Sequence, residues 1–131
     1  MRAQASLEYL LLFAAFFAAL AVLLPIMNQT SKEFLLASDS LLAKRITGEV
    51  LEEISLMNFL SDGSKKTFEY YPIKLISVYS RGSVVYFSSE EKQYFVETNS
   101  IQLIQKTDFN SKFFVILKKD SNRILINVVL G

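Results

Sequence analysis

The side chains that most often carry catalysis are missing from this chain. Its 131 residues include no cysteine and no histidine. Thiolate nucleophiles, disulfides, imidazole metal ligands and the Ser-His-Asp arrangement are therefore all excluded. What remains are carboxylates and cations. Glu52-Glu53 and Glu90-Glu91 are adjacent carboxylates, but sequence neighbours diverge on a helix and point to opposite faces of a strand, so neither pair forms a general acid and base. Lys65-Lys66 and Lys118-Lys119 read as solvated turn ends rather than a phosphate track. With 14 Lys+Arg against 13 Asp+Glu, the net charge of +1 gives no bulk attraction for nucleic acid. Gly48, Gly63, Gly82 and Gly131 are too scattered to cradle a phosphate. The expectation is a protein that is not an enzyme, with no catalytic residues, no metal, no cofactor and no nucleic-acid partner.

One carboxylate stands apart by its position. Glu8 lies at the edge of residues 9–27, a run of 19 residues without a charge. As a helix the run is about 28 Å long, close to the roughly 30 Å hydrocarbon core of a bilayer. A helix in a small soluble core normally keeps one polar face, so an apolar run of this kind reads as membrane-resident. Arg2 precedes it and Lys32 follows several residues beyond, a bias that keeps the N-terminus in the cytoplasm and exports the rest. Ala18-Ala19-Leu20-Ala21 offers small residues for signal-peptide cleavage, but the apolar run continues through Leu24 and Met27, which disfavours it.

Gln4, Ser6, Glu8 and Leu12 form the pattern Q-x-S-x-E-x-x-x-L directly ahead of the apolar run. This resembles the class III signal peptide of archaeal type IV pilin-like proteins. The resemblance implies cleavage between Ala3 and Gln4 by a prepilin peptidase, with the apolar segment retained and residues 1–3 lost as a leader. It also implies a precursor in the cell membrane and a mature subunit in an extracellular pilus at the cell surface, with adhesion as the expected role. Implied partners are copies of the chain or other pilins, the peptidase, and an assembly ATPase with its membrane platform. The cut exposes an α-amino group at Gln4, with which Glu8 of a neighbouring subunit would pair. A compensated carboxylate is tolerable in a low-dielectric core where a lone one is costly. If Gln4 cyclises to pyroglutamate, Glu8 takes a backbone donor or a proton instead. Two alternatives stay open: a minor pilin that initiates or modifies filaments, and a single-pass anchored binding protein that does not polymerise.

These residues need a stem and a head to position them. Pro25 removes a backbone donor and clashes with the carbonyl of Ala21, which predicts a kink, a local loss of helix over residues 21–25, or the end of the membrane helix. Phe34, Leu35, Leu42, Ile46, Val50, Ile54, Met57 and Leu60 recur at helical intervals between charged residues. The pattern predicts an amphipathic helix to about Leu60, stopped by Ser61-Asp62-Gly63-Ser64. Beyond it the period changes to that of strands, expected over residues 66–71, 73–79, 84–88, 93–98 and 101–104, with a hairpin of residues 112–118 and 123–130. The expected class is α+β: residues 4–27 an apolar helix, 28–62 an amphipathic helix and 63–131 a head of five to seven antiparallel strands with one face on that helix. Tyr70, Tyr71, Tyr79, Tyr86, Phe87, Tyr94 and Phe95 invite a carbohydrate- or nucleic-acid-binding role, but aromatic residues suit strands and fill cores, and that reading is preferred. Asn28-Gln29-Thr30 fits the N-glycosylation pattern at Asn28.

Overall fold

A computed structural model of the chain describes residues 2–99 and 104–131. One helix, α1 (Arg2–Met57), is followed among the described residues by β1 (Lys65–Tyr70), β2 (Ile76–Arg81), β3 (Val84–Ser88), β4 (Gln93–Glu97), β5 (Thr107–Phe109), β6 (Phe113–Asp120) and β7 (Arg123–Leu130). The chain divides into two compact units, Met1–Phe34 and Leu35–Gly131. The first is the N-terminal part of α1. The second contains the remainder of α1 and all seven strands, so the α+β class holds, with helix packed on antiparallel sheet.

In the first unit the helix runs unbroken through Pro25. Neither a loss of helix over residues 21–25 nor a helix end at Pro25 occurs. Proline lacks an amide donor, and the helix continues past it all the same.

In the second unit α1 buries Asp39, Ala43, Ile46, Val50, Ile54 and Met57, a stripe at three- and four-residue spacing. Four of these are positions that the sequence pattern marked. Phe34 is 67% exposed and Leu60 46% exposed, because Phe34 belongs to the first unit and Leu60 lies beyond the helix. The helix ends at Met57 rather than near Leu60. Asn58, Phe59 and Leu60 turn away, and the Lys119 ammonium donates to the carbonyls of Asn58 (3.1 Å) and Leu60 (2.6 Å). The last turn of α1 has no basic residue of its own, so β6 supplies the cation that a helix C-terminus favours.

The strands form two sheets instead of one: a three-stranded sheet in the order β1-β6-β7 and a four-stranded sheet in the order β4-β3-β2-β5. Every pairing is antiparallel. The physical reason lies in residues 71–75, where the sequence pattern predicted a strand from residue 73. Pro72 has no amide to give a ladder, and the next three amides are already taken. The Asp39 carboxylate accepts hydrogen bonds from the backbone N–H groups of Ile73 (2.8 Å), Lys74 (2.8 Å) and Leu75 (2.9 Å). The chain therefore leaves the first sheet after Tyr70 and enters the second at Ile76, and β1 pairs with β6.

Both sheets turn apolar faces to α1. Val78, Val85, Phe87 and Val96 of one sheet and Phe113, Val115, Leu117, Ile124 and Ile126 of the other share a single core with the helix stripe. Phe109 of β5 stacks on Phe113 of β6 with ring centroids 4.8 Å apart, and Phe113 meets Tyr70 of β1 at 5.8 Å. This aromatic run joins the two sheets where the chain passes between them. The expected strand at residues 101–104 falls mainly on residues 101–103, outside the described residues. Ile104 itself exchanges hydrogen bonds with Ser80, its N–H donating to the hydroxyl at 2.6 Å and its carbonyl accepting from the Ser80 amide at 3.1 Å.

Two-residue turns close the β2–β3 and β6–β7 hairpins. Gly82 takes φ +64° in the first, where glycine is unstrained; Ser121 takes φ +55° in the second, where a side chain is not. Ser121→Gly is expected to stabilise the protein by about 1 kcal/mol, the order of the left-handed backbone penalty, as a raised midpoint of urea unfolding. Asp39→Ala strands three backbone donors at once. It is expected to cost on the order of 3 kcal/mol and to speed hydrogen exchange at the amides of residues 73–75.

Candidate assembly surface

The residues singled out for processing and assembly all lie on the first unit's helix. Gln4, Ser6, Glu8 and Leu12 are exposed. At 100° per residue, Gln4, Glu8 and Leu12 share one side of the helix and Ser6 projects from the other. Glu8 has no hydrogen bond or ion pair with any described residue. Ala3 is in the helix by its backbone, and its side chain is outside the description.

C-terminal to Glu8 the surface is apolar on every side. Tyr9, Leu10, Leu11, Phe13, Phe16, Phe17, Val22, Leu23 and Leu24 are all exposed. Tyr9, Leu12, Phe13 and Phe16 line an open apolar groove along one face, and Phe16 meets Phe17 edge-on at 5.9 Å. The helix is long and apolar enough to cross a membrane: its most apolar window has a mean hydropathy of 2.7 and none of it is buried. Ordinary monomers do not leave a patch of this extent in water. Pro25 lies exposed in the same helix. Asn28 is exposed one turn further on, with the Thr30 hydroxyl donating to the Ile26 carbonyl at 2.9 Å.

The head holds its charged groups in a different way. Arg45 and Glu49, one turn apart on α1, pair at 2.7 Å, and the Tyr70 hydroxyl donates to the other Glu49 oxygen at 2.5 Å. Desolvation, the largest single influence, pushes the Glu49 carboxyl up. The Tyr70 hydrogen bond and the Arg45 guanidinium together outweigh it, and the carboxyl lies below its usual range. Burial first, then the bond and charge of Glu49, drive the Tyr70 phenol far up. Sequence reading missed this triad and Asp39 alike. The available signal was an acidic residue at helical spacing from the apolar stripe, four residues before Ala43 in the case of Asp39.

The remaining candidates disperse. Glu90 pairs with Lys74 at 2.7 Å while Glu91 faces a shallow surface groove with Ser40, Lys44, Lys92 and Tyr94. Lys112 pairs with Glu69 at 2.6 Å and sits over the Phe114 ring. Of the aromatic residues, Tyr70 and Phe87 are core. Tyr79 and Tyr86 stack on each other across β2 and β3, with centroids 5.0 Å apart and planes 15° from parallel, so each covers one face of the other. The preferred reading of these rings as core residues holds for Tyr70 and Phe87 and not for Tyr71 and Phe95, which are exposed.

No family model, curated protein or solved structure matches the chain.

The Glu49 carboxyl is held below its unfolded value, so its contribution to stability is complete above the ordinary carboxylate range and disappears as pH falls through the depressed value. Tyr70→Phe is expected to lose about 1–2 kcal/mol at neutral pH. The difference from the parent should close as unfolding is measured at pH values below about 4.

Proposed function

We propose that the chain is a structural subunit of an archaeal type IV-like pilus, cut by a prepilin peptidase between Ala3 and Gln4 and polymerised through its N-terminal helix. The observation that carries this reading is the pairing of two features: the Gln4-Ser6-Glu8-Leu12 pattern, and directly after it a membrane-length apolar helix surface that is exposed among the described residues. Before assembly the bilayer covers that surface; afterwards, the same surface of neighbouring subunits does. Both environments remove the same apolar area from water, so transfer between them needs little net hydrophobic work. Glu8 supplies the register, because in either environment an uncompensated carboxylate is the costly group and the Gln4 amine of a neighbour relieves it. The head stays outside, where its exposed strands and loops meet the surroundings and serve attachment.

Mass spectrometry of the chain recovered from cell-surface material is expected to give an N-terminus at Gln4, as amine or pyroglutamate. Glu8→Ala should leave the processed subunit in the membrane and abolish its recovery in sheared filaments. A surface protein that still begins at Met1, or filaments that form unchanged with Glu8→Ala, would mean an anchored protein in place of a pilin.

A further inference from the structure

Among the described residues, Asp39, Ser40, Thr47, Ser89 and Thr98 are buried and polar. Four of them have partners. Asp39 accepts three amides, Thr47 donates to the Ala43 carbonyl at 2.9 Å, Ser89 to the Lys92 carbonyl at 3.2 Å and Thr98 to the Ser83 carbonyl at 3.2 Å. Ser40 is the exception. It is 6% exposed, yet its hydroxyl makes no hydrogen bond to any described residue. A helical serine or threonine ordinarily donates to the carbonyl four residues back, as Thr47 does, and Ser40 leaves that bond unmade. A buried hydroxyl without a partner is costly, and in a native structure it marks a place where something else binds.

Ser40 lines a groove of about 280 Å³ between α1 and the β3–β4 turn, wholly within the second unit. Ala37, Ser40, Leu41 and Lys44 supply one wall, at the three- and four-residue spacing of a single helix face. Glu91, Lys92 and Tyr94 supply the other. That second wall is fixed in place. The Ser89 amide donates to the Lys92 carbonyl at 2.8 Å, the Lys92 amide donates to the Ser89 hydroxyl at 3.2 Å, and the Tyr94 ring packs on the core. Neighbouring Glu90 is already engaged by Lys74 at 2.7 Å. By contrast, the side chains of Lys44, Glu91 and Lys92 and the Tyr94 hydroxyl form no hydrogen bond or ion pair among the described residues. Lysines on a surface are ordinary; the buried, unpartnered hydroxyl opening on the same groove is not.

We propose that this groove binds a phosphate monoester of a small polyol or sugar. Two hydroxyls and two ammoniums give four sources of donors around one small space, and a tetrahedral phosphate has three terminal oxygens to receive them. Lysine acts on phosphate as a point charge, whereas planar recognition of a carboxylate favours the arginine fork that this groove lacks. Glu91 accepts hydrogen bonds and donates none when ionised. It opposes a bare phosphate and favours a ligand that brings a hydroxyl of its own, which selects the ester over the free ion. Leu41 and Ala37 offer apolar contact to the carbon skeleton. The volume suits a small molecule rather than a segment of protein chain. The site belongs to the head and does not depend on the filament reading.

The test is a titration of the full, isotope-labelled chain in neutral detergent micelles, followed by amide chemical shifts. Glycerol 3-phosphate is expected to produce saturable shifts confined to residues 37–44 and 89–94, inorganic phosphate weaker ones at the same amides, and glycerol none. Lys44→Met and Lys92→Met should each weaken binding of the ester by about tenfold, the order of one lost charge-assisted hydrogen bond. Ser40→Ala should also weaken it by about tenfold, while the midpoint of urea unfolding does not fall, because the hydroxyl it removes has no partner in the protein. Glu91→Gln should tighten inorganic phosphate and reduce the preference for the ester. Four results would overturn the proposal: no saturable shift at these amides, binding of glucuronate as tight as that of the ester, affinity indifferent to Ser40→Ala, or shifts that follow the exposed lysines generally.

Discussion

One helix has to satisfy two solvents. From Leu10 to Met27 α1 offers only hydrocarbon to its surroundings; over its last turns it alternates a buried stripe with charged residues that water must reach. No single environment suits both, since lipid penalises the charges and water penalises the apolar surface. The two compact units are the structural expression of that conflict. The stripe is covered by the chain's own sheets, whereas the apolar surface is exposed among the described residues. The head is in turn built around what the stripe requires: two sheets, neither wide enough to bury much alone, close over one helix face.

Within the head, a single carboxylate decides how the chain is routed. By taking three consecutive amides, Asp39 prevents residues 73–75 from continuing a strand and turns the chain from one sheet to the other. A buried acid with its acceptor capacity so fully used specifies a conformation more than it adds net stability, because the desolvation of the carboxylate offsets much of what the bonds contribute. Lys119 plays the reciprocal part at the other end of the stripe, where a cation from β6 meets carbonyls that have left the helix. The helix is thus tied to one sheet at its C-terminal end and to the approach of the other at Asp39.

What the sequence disclosed depended on whether the signal was local. The alternation in residues 84–88 and 93–98 located β3 and β4 almost to the residue, and the apolar strands on either side of residues 119–122 announced the β6–β7 hairpin. The stripe at Ile46, Val50, Ile54 and Met57 was equally readable. β5 was not, since Thr107-Asp108-Phe109 is three residues with one apolar side chain and no alternation to detect. The division into two sheets was hidden because strand partners are chosen by tertiary contacts. Asp39 and Glu49 were hidden because an acid on an amphipathic helix looks solvated until the opposing element is known. The N-terminal motif, by contrast, is a short chemical pattern whose meaning lies outside the fold, so the structure adds its position on the helix and its exposure.

The partnership of β1 with β6 has a consequence for the order in which the head is made. β2, β3 and β4 are joined by short turns and can pair as soon as they are synthesised, because closing small loops is fast and entropically cheap. β1 emerges before any of them, yet Lys65 waits for Lys118. Until the last hairpin arrives, β1 lacks its strand partner and the helix stripe lacks the core residues of β6 and β7. Folding of the head is therefore completed from its C-terminal end, and a chain still being translated carries an incompletely covered helix stripe until its final strands are made.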